Sequence, residues 1–350
     1  MKGEDKIKGQ KKEGAEMIFA KAQRMFIGIV IIAVIGVSVG GCQEKPEEYT
    51  GPVEKITLAA YAGETGALVY VAEDQGFFEE NGLEMTIKDY ESGKAAADAL
   101  IAGQTNISTS ADFVFVSNSF DYTDLRILGT VATAEVIELV ARKDKGITTP
   151  TDLKGKKIGV TKKSSAESDL GKFLLYNGLS IDDVELVDLK PSGIVKAVIN
   201  GDVDAGVTWD PNVYNIKEEL GDNAVSWSVV ESFYFVLITK EDWIEDNPAA
   251  TERFIKSVLE AEDYIKDNSE ESKEFVRNRF DYESDYIDYS WPEQEFAVIL
   301  EQAMLITFED QTRWRIKQGL TDATEVPNYL DYIYMDALEK VKPEAIRIIR

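Results

Sequence analysis

Apolar and polar positions between residues 82 and 209 follow one arrangement twice. Residues 99–111 match residues 197–209 position for position, and each copy reads as an amphipathic helix, a glycine and a short apolar strand. Gly103 and Gly201 occupy the same place in the two copies, where a glycine commonly ends a helix in the left-handed conformation. The repetition predicts two lobes of similar build.

Two weaker sequence repeats occur in the same order along the chain. In the first, short apolar strands begin at Lys55 and at Lys157. In the second, residues 82–93 and residues 178–193 each begin with Gly-Leu, continue as a strand and end with Ser-Gly. Strands alternating with helices at this spacing indicate mostly parallel sheets, because parallel neighbours need a crossover, usually a helix. We therefore predict an α/β fold of two doubly wound lobes with a ligand cleft between them.

In sheets of this kind, ligands bind outside the carboxyl ends of the strands. That rule selects four loops as the predicted cleft: residues 61–65, 109–113, 161–166 and 208–211.

The loop at residues 161–166 has the chemistry of an anion site. Ser164 or Ser165 is a suitable N-cap for the helical pattern that follows. A helix N-terminus offers free N–H groups and a partial positive charge, and Lys162 and Lys163 stand beside it. The loop therefore suits a sulfonate, a carboxylate or a phosphate. Simple helix capping, with lysines that offset local acidity, is the alternative.

The other three loops add hydroxyl, main-chain N–H and aromatic groups. Their candidate ligand-binding residues are Tyr61, Glu64, Ser110, Ala111, Trp209 and Asp210. Trp209 stands out because an indole at a strand end combines apolar area with an N–H donor. A half-buried core tryptophan is the alternative for that residue.

The N-terminus has the layout of a secretory signal. Arg24 precedes an uncharged apolar run to Val39, which is short for a membrane span, and small residues then lead to Cys42. This ending resembles the lipobox of prokaryotic lipoproteins, in which the cysteine is lipidated. We predict a signal peptide at residues 1–41, with an uncleaved anchor as the alternative and Met17 as an alternative start.

Residues 42–53 are polar and carry prolines and glycines, which predicts a flexible tether before a globular part. The chain has 350 residues, enough for two lobes. Its 64 Asp and Glu against 38 Lys and Arg give a net charge of −26, which makes nucleic acid a poor partner.

The composition also excludes several catalytic chemistries. The chain has no histidine, and its single cysteine is Cys42, so imidazole bases, Ser-His-Asp triads, other cysteine nucleophiles and intrachain disulfides are excluded. No Gly-rich phosphate fingerprint follows a strand, and we expect no cofactor and no metal. Carboxylate clusters at residues 182–188 and 281–288 leave a carboxylate-dependent hydrolase as an open alternative.

Five segments resemble solute-binding proteins of the nitrate/sulfonate/taurine type, a family that also contains binders of thiamine pyrimidine precursors. These segments are Val71–Met85, Ala99–Gly103, Asp152–Val160, Gly201–Pro211 and Asn247–Ala250. The resemblance extends over about residues 54 to 310.

The resemblance implies a type II periplasmic-binding-protein fold. Lobe one would comprise residues 54–141 and 227–350, and lobe two residues 142–226. The chain would cross between lobes near Ala141–Asp144 and Val225–Phe235, which places Phe233 and Tyr234 near the cleft. Helical periodicity at Ala249–Tyr264 and Trp291–Leu305 predicts helices that wrap lobe one.

The implied function is capture of a small solute by lobe closure. The protein would be the lipid-anchored, extracytoplasmic subunit of an ABC importer, with a permease and its ATPase as partners and an anionic solute of the sulfonate, taurine or nitrate kind. A neutral pyrimidine-like thiamine precursor and presentation of a ligand to a sensor remain alternatives. The related pyrimidine synthases depend on His and Cys, so the resemblance does not imply an enzyme.

Overall fold

The structure is a computed structural model that describes residues 49–229 and 233–349. The predicted signal peptide and Cys42 lie outside the described residues, as does most of the predicted tether. Within the described part of the chain, no helix is both long enough and apolar enough to cross a membrane.

The strands alternate with helices through the first half of the chain. They are β1 (Glu54–Tyr61), β2 (Leu83–Tyr90), β3 (Ile107–Ala111), β4 (Leu125–Ala134), β5 (Ile137–Arg142), β6 (Lys157–Val160), β7 (Glu185–Asp188), β8 (Ala205–Trp209), β9 (Ala224–Ser228), β10 (Phe233–Lys240), β11 (Gln294–Glu295), β12 (Leu300–Glu301) and β13 (Ile346–Arg347).

The helices dominate the C-terminal third. They are α1 (Ala67–Asp74), α2 (Phe77–Glu80), α3 (Gly93–Ile101), α4 (Asp112–Ser119), α5 (Ser165–Tyr176), α6 (Pro191–Asn200), α7 (Asn212–Leu220), α8 (Glu241–Asp246), α9 (Pro248–Asp267), α10 (Ser269–Arg279), α11 (Ser284–Ser290), α12 (Gln302–Lys317) and α13 (Asp336–Val341). A short 3-10 turn (Glu64–Gly66) precedes α1.

Two sheets form the centres of the two lobes. The first has the strand order β11-β4-β10-β3-β1-β2, and the second has the order β7-β6-β8-β5-β9. Helices cross between the parallel strands β1, β2 and β3, and again between β6, β7 and β8. This repeated unit gives the two-lobed α/β fold that the internal sequence repeat predicts.

Antiparallel strands complete both sheets, which are therefore mixed. In the first sheet β10 runs antiparallel to β3 and β4, and in the second β5 runs antiparallel to β8 and β9. A strand that enters from the other lobe needs no helical crossover, so it is not constrained to run parallel.

The chain passes between the sheets at two places. The first passage lies between Ala134, which pairs in the first sheet, and Ile137, which pairs in the second. The predicted passage at Ala141–Asp144 therefore lies too far along the chain. The apolar sequence of β5 resembles a continuation of the first lobe, but β5 pairs with β8 and β9 of the second sheet. The chain returns between Ser228 and Phe233.

Glycines end the two equivalent helices α3 and α6. Gly103 has φ of 69° and Gly201 has φ of 77°, which is the left-handed region that side chains disfavour. Each glycine turns the chain from its helix into β3 or β8. The same residue at the same place therefore builds the same unit in both lobes.

The C-terminal third packs mainly on the first lobe. α9 covers the predicted helix at Ala249–Tyr264, and its buried side chains, including Phe254 and Val258, contact α1, α2 and α13. The predicted helix at Trp291–Leu305 is wrong, because residues 294–301 form no helix and α12 begins only at Gln302. The short strand β11 pairs with β4, and Ala297 and Ile299 exchange hydrogen bonds with Thr130.

Candidate ligand-binding site

A cavity of about 50 Å³ lies between the two sheets, where strands from both lobes end. We call it the cleft cavity. Its first-lobe lining includes Tyr61, Thr65, Ser92, Gly93, Lys94 and Ala111, and its second-lobe lining includes Ile137, Ser164, Ser165 and Trp209. Val114, Val136, Phe233 and Phe235 complete the lining. The cavity has room for roughly three to five waters, which suits a ligand of few heavy atoms.

The N-terminus of α3 forms one wall of the cleft cavity. Ser92 is the N-cap, and its hydroxyl accepts a hydrogen bond from the Ala95 N–H at 3.2 Å. The remaining N–H groups of a first helical turn have no acceptor within the helix and favour negative charge. The wall therefore offers an anion both donors and a partial positive charge.

Gly93 permits this wall to approach β3 closely. A Cβ atom at Gly93 would lie 3.0 Å from the Ser110 Cα and 3.1 Å from the Ala111 nitrogen. The Ser110 hydroxyl donates a hydrogen bond to the Gly93 carbonyl oxygen at 2.9 Å, so it is already engaged. Ser110 thus supports the wall and does not itself line the cavity.

The N-terminus of α5 forms the facing wall from the second lobe. Ser164 is the N-cap, and its hydroxyl donates to the Thr161 carbonyl oxygen at 2.6 Å. The neighbouring Ser165 is buried, and its hydroxyl has no hydrogen-bond partner among the described residues. Because a buried polar group without a partner is costly, the Ser165 hydroxyl is available to a ligand.

Aromatic side chains close the remaining sides. The rings of Tyr61 and Phe235 meet edge to face at a centroid distance of 5.8 Å, and Phe233 packs on Phe235 at 6.2 Å. Trp209 ends β8 and remains half-buried at the cavity. These rings can contact the apolar part of a ligand while the helix N-termini hold its polar part.

Lys94 is the charged residue in the lining of the cleft cavity. Its ammonium lies 2.6 Å from the Asp98 carboxylate, one turn further along α3, and remains partly exposed. In the described residues, no group of three or more His, Cys, Asp or Glu is arranged to hold a metal ion.

Two buried carboxyl groups lie close to Tyr61 without lining the cavity. Glu64 accepts hydrogen bonds from the hydroxyls of Tyr282 and Tyr286, and burial raises its pKa. Asp210 accepts the Tyr214 N–H at 3.1 Å. Burial first, and the charge of Glu64 second, raise the pKa of Asp210 to about 7.

The predicted site residues divide into two groups. Tyr61, Ala111, Ser164, Ser165 and Trp209 line the cleft cavity, and Glu64, Ser110, Lys162 and Asp210 do not. Lys162 is exposed on the loop after β6, where its N–H donates to Asp188. Of the residues expected near the cleft at the return passage, Phe233 lines the cavity, whereas the Tyr234 hydroxyl donates to Glu301.

Sequence reasoning missed the wall at Ser92–Lys94. The signal was present, because Ser92 and Gly93 follow β2 directly and a serine before a helical pattern predicts an N-cap. Thr65, Val114, Val136, Ile137 and Phe235 were missed as well. Their apolar or small side chains carry no local mark of a binding site.

The carboxylate clusters are engaged elsewhere. Asp183 accepts the Ser180 N–H in a capping box and pairs with Lys154, and Asp288 pairs with Lys273. None of the carboxylates at residues 182–188 or 281–288 lines the cleft cavity.

Relatives in sequence include binding proteins and an enzyme. The chain is 27% identical over 210 residues to the taurine-binding periplasmic protein of Escherichia coli, which is 58% of this chain and 64% of that protein. It is 26% identical over 157 residues to the 4-amino-5-hydroxymethyl-2-methylpyrimidine phosphate synthase of Aspergillus parasiticus, which is 44% of this chain and 45% of that protein. The chain thus spans less than two thirds of the length of these relatives.

Solved structures share the fold. The alkanesulfonate-binding protein SsuA of Xanthomonas axonopodis pv. citri, bound to MOPS, superposes with a TM-score of 0.70 at 16% identity, over 81% of this chain and 99% of that chain. The desulfurization enzyme DSZB superposes with a TM-score of 0.62 at 16% identity, over 83% and 99%. The fold is therefore that of periplasmic binding proteins, on which both binding and catalysis occur.

Residues 65–272 match the family described as NMT1/THI5 like, which is more than half of the chain and contains most of the lining of the cleft cavity. This protein belongs to the NMT1/THI5-like family.

Proposed function

We propose that this protein is the extracytoplasmic solute-binding subunit of an ABC importer, anchored through Cys42, and that it captures a small anionic solute of the sulfonate, taurine or nitrate kind. The observation that carries the proposal is the cleft cavity itself. Two helix N-termini from opposite lobes face it, and the Ser165 hydroxyl beside them has no partner among the described residues.

The relatives' names support the class of solute. One relative is named for taurine, and one structural neighbour was solved as an alkanesulfonate-binding protein. A sulfonate has three acceptor oxygens and a permanent negative charge, which the first turns of α3 and α5 suit. The aromatic side chains at Tyr61, Trp209 and Phe235 suit a short organic tail.

Binding in this proposal needs no catalytic group. The solute contacts both lobes only when they are closed, so it shifts the population towards the closed form by its differential affinity. The permease would then recognise the closed protein. The passage at residues 134–137 is a segment about which the lobes would rotate.

The test is a thermal unfolding screen of the purified protein, refolded to remove any bound ligand. The panel contains taurine, alkanesulfonates, nitrate, short carboxylates, phosphonates and pyrimidines. A ligand at a hundred times its dissociation constant adds about 2.7 kcal/mol, a shift of a few degrees. We expect the shift with sulfonates; a folded sample that none of these compounds shifts would contradict the proposal.

A neutral pyrimidine-like ligand is the second candidate, favoured by the aromatic lining. Trp209 and Phe235 both border the cavity and offer surfaces for a flat ring. A shift with pyrimidines and none with sulfonates in the same screen would select this candidate.

An enzymatic role is the rival of another class, since one relative is named a synthase and one neighbour is a desulfurization enzyme. The sequence has no histidine, so carboxylates are the candidate general bases of this rival, and those at residues 182–188 lie outside the cavity lining. Turnover of a bound ligand that Asp182→Asn and Asp188→Asn abolish would support the rival.

A further inference from the structure

A second cavity borders the cleft cavity on the side where the lobes meet the C-terminal helices. Its volume is about 620 Å³, within the range of small-molecule sites, and it shares Lys94 and Val114 with the cleft cavity. We call it the outer cavity, lined among others by Lys94, Ser117, Lys163, Arg315 and Asp322. The two cavities are adjacent, and together they are bordered by α3 and α4 of the first lobe, α12, and the second-lobe loop before α5.

Arg315 in this lining is a buried cation without a carboxylate partner. Its residue is only 5% exposed, and no Asp or Glu of the described residues lies within ion-pair distance of it. Its Nη1 and Nη2 groups donate at 2.9 Å to the Ser117 hydroxyl and to the Leu320 carbonyl oxygen, and its Nε–H has no acceptor. Arginine stays charged when buried, so the site carries an uncompensated positive charge.

Aromatic rings and more distant carboxylates offset this charge in part, but no carboxylate of the described residues contacts it. The rings of Phe113 and Phe120 lie 5.5 and 5.7 Å from the guanidinium carbon. Glu167 and Asp121 act on it only from a distance, and burial lowers its pKa. Burying a charge without a counter-ion is costly, so an anionic group that reached Arg315 would be stabilised by it.

The lining also holds two lysines, one from each lobe, and three acids, Asp98, Asp121 and Asp322. Lys94 comes from α3 and Lys163 from the loop before α5. Lys94 pairs with Asp98, whereas no carboxylate of the described chain lies within ion-pair distance of Lys163. Asp121 and Asp322, the other acids of this lining, are exposed. Arg315 and Lys163 are thus the cations left to a ligand.

We infer that the outer cavity binds a second anionic group of the ligand, a carboxylate, sulfonate or phosphonate, whose first polar end occupies the cleft cavity. This inference rests on the proposed function and narrows its substrate class to short molecules with an anion at each end. A guanidinium fork holds such a group by two parallel hydrogen bonds. Lys163 closes on it from the second lobe, so the second anion also contacts both lobes.

The experiment compares matched ligands that differ only at the far end. Calorimetric titration of the full chain uses propane-1-sulfonate against 3-sulfopropanoate, and butane-1-sulfonate against 4-sulfobutanoate. In each pair a terminal methyl becomes a carboxylate. We expect the dianion of the fitting length to bind about tenfold tighter or more, because it gains charge-assisted hydrogen bonds.

Variants show which residues provide the tighter binding of the dianion. Arg315→Gln and Lys163→Gln should each remove most of the difference between the two ligands of a pair and change the affinity for the monosulfonate by less than about threefold. Arg313→Gln is the matched control, because Arg313 lies on the same helix but is exposed and pairs with Glu309. If Arg315→Gln does not fold, Lys163→Gln and the wild-type comparison decide the question.

The outcomes separate this inference from the proposed function. Monosulfonates that bind while dianions of every length bind no tighter would overturn the inference and leave the proposed function standing. A dianion advantage that Arg315→Gln and Lys163→Gln both preserve would overturn it as well. If neither the monosulfonates nor the dianions bind, both the inference and the proposed function are overturned.

Discussion

The Tyr61 hydroxyl donates a hydrogen bond to the Asp210 carbonyl oxygen at 3.4 Å and so joins the two lobes across the cleft cavity. Tyr61 ends β1 of the first sheet, and Asp210 follows β8 of the second. Separation of the lobes would break this bond, and Tyr61 also contributes to the lining. It is therefore a contact through which closure and ligand binding are coupled.

Tyr61→Phe should weaken ligand binding, since it removes this bond and keeps the ring. One hydrogen bond contributes about 0.5–1.5 kcal/mol net, which is roughly a two- to tenfold loss of affinity. Calorimetric titration with the sulfonate that binds best measures it. Tyr176→Phe is the control, because Tyr176 is 82% exposed. Equal affinity of Tyr61→Phe and wild type would refute a closing role for the hydroxyl.

Asp210 should make the protein more stable as the pH falls from about 7 towards 4. Burial and Glu64 raise its folded pKa to about 7, against an ordinary value of 3.8, with Glu138 and Lys217 also facing it. Between these values the folded protein binds a proton that the unfolded chain does not, so stability falls as pH rises through this window and levels off above it. The slope due to one such group is at most about 1.4 kcal/mol per pH unit.

The measurement is the unfolding temperature of wild type and Asp210→Asn at pH 5, 6, 7 and 8. Titrating groups that do not interact with Asp210 cancel in the difference between the two proteins. Wild type should gain more on acidification than the variant, whereas Asp182→Asn, at an exposed acid, should follow wild type. Parallel curves for wild type and Asp210→Asn would show that the Asp210 pKa is not raised.

Gly93→Ala should impair binding, because the new Cβ would press on the backbone of Ser110 and Ala111 at 3.0 and 3.1 Å. The first turn of α3 must then move away from β3, and we expect at least a tenfold loss of affinity for a sulfonate. Affinity is measured by calorimetry and folding by circular dichroism.

Gly193→Ala is the matched control for this variant. Gly193 is the counterpart of Gly93 in the internal sequence repeat. A Cβ atom added at Gly193 would lie 3.8 Å from its nearest neighbour, the Leu189 Cβ. This variant should bind normally and be slightly more stable, since alanine favours a helix. Similar losses in both variants would contradict the role given to the Gly93 wall.

Cys42→Ser should release the protein from the membrane fraction of cells that process lipoproteins. The prediction follows from the apolar run and small residues that precede Cys42, and from the proposed lipid anchor. Fractionation followed by mass analysis of the N-terminus measures it. Unchanged membrane association of Cys42→Ser, with an intact N-terminal segment, would favour an uncleaved anchor.

The sequence predicted most reliably those features that local chemistry determines. The matching glycines Gly103 and Gly201, the helix start at Ser164, and Trp209 at a strand end all carry their signal in a few neighbouring residues. The N-cap at Ser92 carries an equal signal, because a serine directly follows β2 and precedes a helical pattern.

The features that the sequence did not predict depend on distant contacts. Glu64 faces away from the cleft cavity because Tyr282 and Tyr286, more than 200 residues later, bond its carboxylate. Residues 294–301 form no helix, although their apolar spacing also fits one, because Gln294 and Glu295 pair with β4 and Leu300 and Glu301 pair with β13. Strand β5 belongs to the second sheet through its pairing with β8, which no local pattern encodes.

The measurement that tests the central claim most directly is calorimetric titration of wild type, Trp209→Phe and Trp209→Ala with the sulfonate that gives the largest thermal shift. Binding between the lobes predicts one site per chain, a modest loss for Trp209→Phe and at least a tenfold loss for Trp209→Ala, with the three proteins equally folded. Affinity that is unchanged in Trp209→Ala would show that the solute does not bind in the cleft cavity and would contradict the account.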